Sequence, residues 1–446
     1  MAAARGEFTS RFGFLMAASG SAVGLGNIWG FPTNAASNGG AAFLFTYLIL
    51  AFALAYPALM AELIIGRHAR ANAVTALRAI STGGKTRLAA LLVGFTGIVT
   101  VSFILSFYAI VSGWMIAFFF EPLSRLLGME GLSNWLTTDA VVRNSLFVVL
   151  FMMLTVYIIS AGVKEGIEKW ASRLMPSLIV ILILLIVYVL TLPGAMDGLR
   201  AYLIPDFSLI ADPSLLVDAM GQAFFSLSLG VGTMLIYGSY INKQENLPTI
   251  GSLVALLDVG IAVLAGLLII PAMYVALNNG VEIYDAAGGL IAGPGLIVSV
   301  LPALFDTMGA IGVFVAFAFF ALMTIASLTS SISMLEVPVA YGVEHHGLER
   351  RRAAAIIGSI ITVIALIIVF NFDPLFDLVV TVTTEISQPL LGLAFCIFVA
   401  WIWQRNEILE EIKSGCPDAE SGLFWKIWPL YVKFICPVAI LVVYFQ

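Results

Sequence analysis

Oxygen atoms that could bind a hard cation recur inside strongly apolar segments of this chain. Asn27 offers an amide oxygen and Ser226 a hydroxyl, and both lie beside glycine-rich stretches. Ala326, Thr329 and Ser330 are spaced i, i+3 and i+4, so that a carbonyl and two hydroxyls lie on one helix face. Hard cations prefer oxygen ligands, and these residues therefore indicate cation binding. The alternative for the Thr and Ser pair is hydrogen bonding between membrane helices.

Two of these positions coincide with glycine-rich interruptions, "GSAVGLGN" at 20–27 and "SLSLGVGT" at 226–233. Each glycine weakens a helix by roughly 0.8–1 kcal/mol relative to alanine, so both stretches favour a break. A broken helix leaves free amides that suit a carboxylate and free carbonyls that suit a cation or an ammonium. A zwitterionic amino acid with Na⁺ has these charges. Close helix packing through glycines is the alternative, but Gly24 and Gly26 do not share a helix face.

Composition indicates a membrane protein. The chain has 446 residues, is 61% hydrophobic and 11% charged, and has a mean hydropathy of +1.04. Such a chain needs a lipid bilayer around it. The net charge of −6 without a basic patch gives no reason to expect a nucleic-acid partner. Scattered cysteines, and histidines in polar connections, argue against a metalloenzyme.

Eleven apolar segments predict eleven transmembrane helices in a single domain, 1–446. They lie near 11–35, 41–66, 88–120, 145–161, 166–192, 213–240, 249–277, 309–341, 351–371, 375–403 and 428–446. With the N-terminus inside, the inside segments hold 17 of the 21 Lys and Arg residues, and the outside loops hold only Arg125, Arg143 and Arg200. This distribution predicts a cytoplasmic N-terminus and an outside C-terminus. Short termini and the lack of an Asn-x-Ser/Thr sequon suit a bacterial inner membrane.

The two interruptions fall in helices 1 and 6, five helices apart. Because five is odd, the two halves enter the membrane from opposite sides. Paired interruptions of this kind are typical of inverted-repeat transporters. The predicted repeats are 11–192 and 213–403, with 428–446 as an additional helix.

The motifs "GSAVGLGNIWGFP", "NGGAAFLFTY", "GQAFFSLSLGVG" and "ASLTSSIS" resemble those of the neurotransmitter:sodium symporters, and the similarity covers nearly the whole chain. The eleven-helix length resembles the bacterial amino-acid branch. The resemblance implies two inverted five-helix repeats and Na⁺/amino-acid symport by alternating access.

The resemblance also implies two sodium sites. The first comprises the Ala22 carbonyl, Asn27, Ser226, Asp258 and the substrate carboxylate. The second comprises the carbonyls of Gly20, Val23 and Ala326 with the hydroxyls of Thr329 and Ser330.

The substrate site implied by the resemblance comprises Ala22, Gly24, Leu25, Gly26, Ile104, Tyr108, Phe225, Ser226, Ser228, Val231, Ser330 and Met334. The amides near Leu25 and Gly26 and the Tyr108 hydroxyl would meet the substrate carboxylate. Carbonyls of Ala22 and Phe225 and the Ser228 region would meet its ammonium.

The residues expected around the substrate side chain carry no charge, which predicts an apolar side chain. Val231 stands where leucine-type relatives carry a phenylalanine, and this enlarges the pocket. Gly24 stands where monoamine-transporting relatives carry an aspartate, and it leaves room for the substrate's own carboxylate. The expected substrates are neutral hydrophobic and aromatic amino acids.

Asp258 departs from the asparagine more usual in the family. A carboxylate near the middle of a membrane is costly and usually functional. The hypothesis is that Asp258 supplies the negative charge that chloride supplies in animal members, so that no chloride is required. A protonated, hydrogen-bonded Asp258 is the alternative. Proton coupling through Asp258 or Glu385 is the rival transport mechanism, and a channel or a membrane enzyme has less support.

The resemblance assigns supporting and gating roles as well. Glu62 should accept hydrogen bonds from free amides of the broken helices, and Glu336 should have a similar supporting role. Arg5, Phe8, Tyr240 and Glu344 match a cytoplasmic gate with an Arg5–Glu344 ion pair. At the outer gate Gly30 replaces an arginine, Asp377 is the nearest acid, and Tyr108 with Phe225 could form an aromatic lid.

Helix 5 carries two residues that weaken a helix. Gly166 and Pro176 could unwind its cytoplasmic end and open a water path to the second sodium site, although an ordinary proline kink is the alternative. The apolar loop 288–305 is a possible lid.

Overall fold

The computed structural model describes residues 6–204, 212–284, 290–291 and 296–445. Helices form nearly all of the regular structure in these ranges, beside one isolated antiparallel bridge between Tyr284 and Leu290. The predicted all-helical membrane fold is confirmed.

Nine helices in the described ranges are long and apolar enough to span a membrane, and the number is ten if one bent pair counts as a single span. The nine are Ala41–Ala69, Gly84–Leu126, Val141–Ser160, Val163–Leu190, Leu247–Asn278, Ala310–His346, Arg350–Phe370, Phe372–Ile402 and Leu423–Val442. They correspond to predicted helices 2 to 5 and 7 to 11.

The bent pair is Arg11–Ala22 with Gly26–Ser37, at 55° to each other, and it corresponds to helix 1. Helix 6 is divided into Pro213–Ser226 and Thr233–Gly238. Neither half is long enough to span alone, so the count of eleven and the division into two repeats stay predictions.

Arg143 lies inside helix 4 and not in the outside loop predicted from the distribution of Lys and Arg residues. Helix 4 begins at Val141 rather than near 145, and Arg143 is buried in its first turn instead of lying in a loop. The guanidinium donates a hydrogen bond to the Asn144 side chain over 2.7 Å and lies 6.0 Å from the centre of the Phe118 ring. These contacts let the helix start earlier than hydropathy alone suggests.

Several connections contain short helices where loops were expected, because such helices are too short for a periodic sequence signal. They are Ala73–Ala79, Glu130–Leu136, Ala195–Leu203, Leu301–Thr307 and Arg405–Lys413. Of the predicted lid 288–305, residues 288–289 and 292–295 lie outside the described residues, and 296–305 are helical.

Wide, π-helical turns precede proline at five places. Each turn is followed by an α-helix with proline near its first position, at Pro32, Pro57, Pro302, Pro389 and Pro437. Proline lacks an amide hydrogen and its ring clashes with the carbonyl four residues earlier. The wider turn relieves that clash without ending the helix.

The interior of the fold surrounds the broken helices. All but three of the twelve residues Arg11–Ala22 are buried. By contrast, the outer helices expose large apolar side chains such as Leu184, Val187, Ile367 and Phe370. An exposed apolar surface of this extent suits contact with lipid.

The short helix Arg405–Lys413, between helices 10 and 11, is attached through Glu411. Glu411 accepts a hydrogen bond from Arg67 Nε over 2.7 Å, and both side chains are buried. Burial raises the pKa of Glu411, but His68, Arg67 and Lys243 together outweigh burial and hold that pKa below its usual value. This cluster joins the end of helix 2 to the connection before helix 11.

Candidate functional site

The break in helix 1 spans Val23 to Leu25. Val23 is extended, and the Gly24 and Leu25 amides donate to Asn27 Oδ1 at 3.1 Å and to the Tyr108 hydroxyl at 3.2 Å. A Cβ on Gly24 would lie 2.5 Å from Ser330 Oγ and 2.8 Å from the Tyr108 hydroxyl. Glycine is therefore required here by the close approach of helices 3 and 8.

The break in helix 6 uses left-handed backbone. Ser228, Gly230 and Gly232 have φ of 52°, 84° and 79°. Glycine adopts such angles at little cost, whereas serine is strained. The Ser228 hydroxyl donates to the Ser21 carbonyl over 3.0 Å, which ties the two breaks together.

Glu62 satisfies backbone amides that the break leaves free. Its carboxylate accepts hydrogen bonds from the Gly230 amide at 2.7 Å and the Leu235 amide at 3.3 Å. Both are donors that a continuous helix would have paired internally.

The side chains predicted for the first sodium site form one buried hydrogen-bonded cluster. The Asn27 amide donates to Asp258 Oδ1 at 2.7 Å and to Ser226 Oγ at 2.9 Å. Ser226 Oγ donates to Asp258 Oδ2 at 2.8 Å. All three residues are at most 1% exposed. The cluster contains one carboxylate and neutral oxygen ligands, a set that fits a monovalent hard cation.

The oxygens predicted for the second sodium site also lie together. Ser330 Oγ donates to the Gly20 carbonyl at 3.3 Å and to the Val23 carbonyl at 3.2 Å. Thr329 Oγ1 donates to the Ala326 carbonyl at 3.0 Å. Helix 8 thus meets the broken part of helix 1 through uncharged oxygens. In the described part of the chain, no group of three or more His, Cys, Asp and Glu residues could hold a metal.

A small cavity of about 30 Å³ lies between the two breaks. Its lining is Ala22, Gly24, Leu25, Gly26, Ile104, Tyr108, Phe225, Ser228, Val231, Ser330, Met334 and Gln388. The predicted substrate residues are all present except Ser226, which faces Asp258 instead. Gln388 was missed, although it lies in the polar stretch "TVTTEISQP" of helix 10 that holds Glu385.

A second cavity, of about 570 Å³, lies on the side of the breaks away from the N-terminus. It is lined by residues that include Gly30, Asn34, Gln222, Thr384 and Glu385. Phe225 lines both cavities and separates them, whereas Tyr108 lines only the small one.

The N-terminal face, the side of the small cavity on which Phe8 and Tyr240 lie, is closed by packed side chains. The Phe8 amide donates to the Tyr240 carbonyl over 3.2 Å, and the Phe8 ring packs edge-on against Phe14, Tyr237 and Tyr240. The Tyr240 hydroxyl donates to Glu336 over 2.5 Å.

Charged residues of helices 8 and 9 complete this closure. Glu336 also accepts two hydrogen bonds from Arg350, at 3.1 and 2.5 Å. Glu344 accepts hydrogen bonds from the amide and the side chain of Asn72, both at 2.8 Å. Arg5 lies outside the described residues, so the expected Arg5–Glu344 pair stays a prediction.

Glu168 also contributes to this face, and no motif in the sequence indicated it. Its carboxylate accepts hydrogen bonds from the amides and the hydroxyls of Thr9 and Ser10, at 2.8 to 3.2 Å. Glu168 ends the π-helical turn Val163–Glu168, which contains Gly166. The start of helix 1 is thereby fastened to the start of helix 5.

Helix 5 also reaches the second oxygen cluster. Pro176 lies inside the helix Lys169–Leu190, and the side chain of the preceding Met175 packs against Gly20, where a Cβ would lie 3.2 Å from Met175 Cγ. The helix segment around Pro176 is thus in contact with one of the predicted sodium ligands.

Comparison with known proteins identifies the class. The model of the Sodium:neurotransmitter symporter family matches residues 5–147 and 132–446. An uncharacterized sodium-dependent transporter, YhdH, from Bacillus subtilis is 32% identical over 98% of this chain and 96% of its own length. The sodium- and chloride-dependent taurine transporter of Bos taurus is 28% identical over 97% of this chain and 77% of its own.

Among solved structures, MhsT in complex with L-phenylalanine superimposes with a TM-score of 0.84, at 36% identity over 99% of both chains. The chain therefore belongs to the Sodium:neurotransmitter symporter family, and the resemblance carried by its motifs is confirmed. This is a family of sodium-coupled transporters.

Proposed function

We propose that the protein couples two Na⁺ ions to the uptake of neutral hydrophobic and aromatic L-amino acids by alternating access. The observation that carries this proposal is the small cavity between the two breaks. Backbone of the two helix breaks and the Tyr108 hydroxyl form one end of this cavity. The side chains that line the cavity carry no charge. The L-phenylalanine bound to MhsT agrees with such a substrate.

The two ends of a zwitterion have different partners in this arrangement. Amides at Leu25 and Gly26 begin the second half of helix 1, where the helix dipole favours the substrate carboxylate. Carbonyls that end the first halves of helices 1 and 6, at Ala22 and Phe225, suit the ammonium. Any side chain at Gly24 would collide with Ser330 and Tyr108, so this position cannot supply a carboxylate and the substrate must bring its own.

Two cations fit the two oxygen clusters. At the first, Na⁺ would replace the Asn27 N–H as the partner of Asp258, and the carboxylate would balance its charge without chloride. At the second, the Thr329 and Ser330 hydroxyls would turn their lone pairs toward the ion, and the helix carbonyls would complete the site. The closeness of the substrate carboxylate to the first cluster couples ion binding to substrate binding.

Alternating access requires that the two faces open in turn. We propose that the 570 Å³ cavity faces the exterior and that the closed face of Phe8, Tyr240 and Glu336 is cytoplasmic. Release then requires loss of the contacts that Glu168 and Glu336 make. Unwinding of helix 5 near Gly166 and Pro176 would admit water to the second sodium site. One copy of the chain contains the whole proposed site, so a monomer is sufficient.

The proposed stoichiometry supplies enough free energy. A tenfold Na⁺ gradient provides about 1.4 kcal/mol per ion, and a potential of about 100 mV adds about 2.3 kcal/mol per charge. Two ions thus provide about 7 kcal/mol, equivalent to an accumulation of roughly 10⁵-fold.

The deciding experiment is uptake into proteoliposomes of a bacterial inner-membrane lipid composition. We expect saturable uptake of radiolabelled leucine or phenylalanine that requires an inward Na⁺ gradient and persists when gluconate replaces chloride. Unlabelled neutral hydrophobic and aromatic amino acids should compete with this uptake. Failure to take up any neutral amino acid would overturn the proposal.

Proton coupling is the second candidate, because Asp258 is fully buried and Glu385 lines the outer cavity. Uptake driven by a pH gradient in Na⁺-free buffer would favour it. Uptake that requires Na⁺ at every pH would exclude it.

A further inference from the structure

Gln388 in helix 10 has a buried amide of which only one end is hydrogen-bonded. The residue is 5% exposed, and its Nε2 donates to the Leu229 carbonyl over 2.9 Å. Its Oε1 is buried and accepts no hydrogen bond from any described residue. The chemistry decides the orientation of the amide, because a carbonyl can only accept and the nitrogen must therefore face Leu229.

The broken part of helix 6 holds Gln388 in place. The Leu229 carbonyl is free to accept a hydrogen bond from helix 10 because helix 6 is unwound here. Gly230 follows it with a positive φ of 84°. A Cβ on Gly230 would collide with the backbone carbonyl of Gln388 and lie 2.9 Å from the Gly392 amide. The backbones of helices 6 and 10 are thus in direct contact, and the Gln388 side chain extends from a rigid base.

Gln388 also lies at the junction of the two cavities. It and Phe225 are the two described residues that line both the 30 Å³ and the 570 Å³ spaces. If the Phe225 ring swings aside, the spaces join and Gln388 remains in the shared wall. The joined space has room for an aromatic side chain that the small cavity alone lacks.

We infer that Gln388 Oε1 accepts a hydrogen bond from the side chain of the substrate, and that this selects side chains with an N–H or O–H donor, such as indole or phenol. This inference rests on the proposed function. In the proposed function the substrate's carboxylate and ammonium meet the breaks in helices 1 and 6, whereas Gln388 lies on helix 10. An indole N–H or a phenol O–H would satisfy the free acceptor, and a wholly apolar side chain would leave it buried and unpaired.

Pairs of ligands that differ only in the donor test the inference. Binding is measured in Na⁺ buffer by competition against radiolabelled leucine on the purified full-length protein. The pairs are tyrosine against phenylalanine, and tryptophan against 3-benzothienylalanine, in which sulfur replaces the indole N–H. The wild-type protein should prefer the donor-bearing member by about 5- to 100-fold.

The variant Gln388→Met keeps the length of the side chain and removes the amide. We expect it to abolish the preference within both pairs, because any loss through the Leu229 carbonyl would weaken the two members of a pair equally. The same substitution at the exposed Gln404, Gln404→Met, should behave as the wild type.

Three results would overturn the inference. One is a wild-type protein that binds both members of each pair equally, which needs no variant to observe. Another is a Gln388→Met variant that keeps the wild-type ratios. The third is an equal loss for all four ligands, which would mean that Gln388 only supports Leu229. A wild-type protein that binds no neutral amino acid is a different result, which refutes the proposed function and with it this inference.

Discussion

Replacing Asp258 by asparagine should separate the charge of the first sodium site from its shape. The carboxylate is fully buried, and its two oxygens lie 2.7 and 2.8 Å from Asn27 Nδ2 and Ser226 Oγ. Asparagine has nearly the same volume and can hydrogen-bond to both neighbours. The substitution therefore removes a negative charge with little change in packing.

The expected loss follows from Coulomb's law. A cation among these atoms would lie within about 4 Å of the carboxylate, where the attraction is about 4 kcal/mol at an effective dielectric constant of about 20. Desolvation of the carboxylate offsets part of this attraction. We expect a net loss of about 1.5–3 kcal/mol, which corresponds to roughly 10- to 150-fold weaker Na⁺ binding.

The assay is a Na⁺ titration of leucine uptake into proteoliposomes, in chloride and in gluconate. Wild-type uptake should be the same in both anions. Asp258→Asn should need much more Na⁺ in gluconate, and chloride should restore part of the affinity if it takes over the missing charge. Asp418→Asn, the same substitution at an exposed position, is the control and should leave the titration unchanged. An Asp258→Asn variant with wild-type Na⁺ affinity in gluconate would refute the reasoning.

Three further variants test other parts of the fold. Gly24→Ala should weaken phenylalanine binding at least about tenfold, because the added methyl collides with Ser330 Oγ; competition binding measures it. Pro176→Ala restores a backbone amide in helix 5 and should slow Na⁺ release, followed as efflux from loaded proteoliposomes. Glu411→Gln should destabilise the protein at pH 7 by about 3–5 kcal/mol, because Arg67 stays buried without its charged partner; thermal unfolding measures it. Since the pKa of Glu411 is lowered by folding, its stabilising effect is present above the unfolded value of about 4.3 and is lost as the pH falls through the folded value.

The results that would contradict these expectations differ. Unchanged binding by Gly24→Ala would mean that helices 3 and 8 can move apart at the break. Unchanged Na⁺ efflux with Pro176→Ala would mean that Pro176 only produces an ordinary kink in helix 5. An equal stability difference for Glu411→Gln at pH 7 and at roughly pH 3.5 would show that the Glu411 charge does not contribute.

The membrane class, the places of the helix breaks and most of the cavity lining could be predicted from the sequence. Hydropathy reports each apolar segment locally, and "GSAVGLGN" and "SLSLGVGT" weaken their helices by composition alone. The family motifs then assigned roles to residues near those breaks. Asn27, Ser226 and Asp258 do form one cluster, although whether it binds sodium stays a prediction.

Only the tertiary structure decided which distant side chains complete the arrangement. Gln388 reaches the small cavity because helix 10 packs against unwound backbone at Gly230. Glu168 and Arg350 close the N-terminal face through partners on other helices. Such contacts depend on helix packing and rotation, and no local periodicity encodes them. The sequence determined where the helices break, because a break is a local property of the backbone. The packing of the helices decided which side chains surround the breaks, because a binding site is formed by several helices at once.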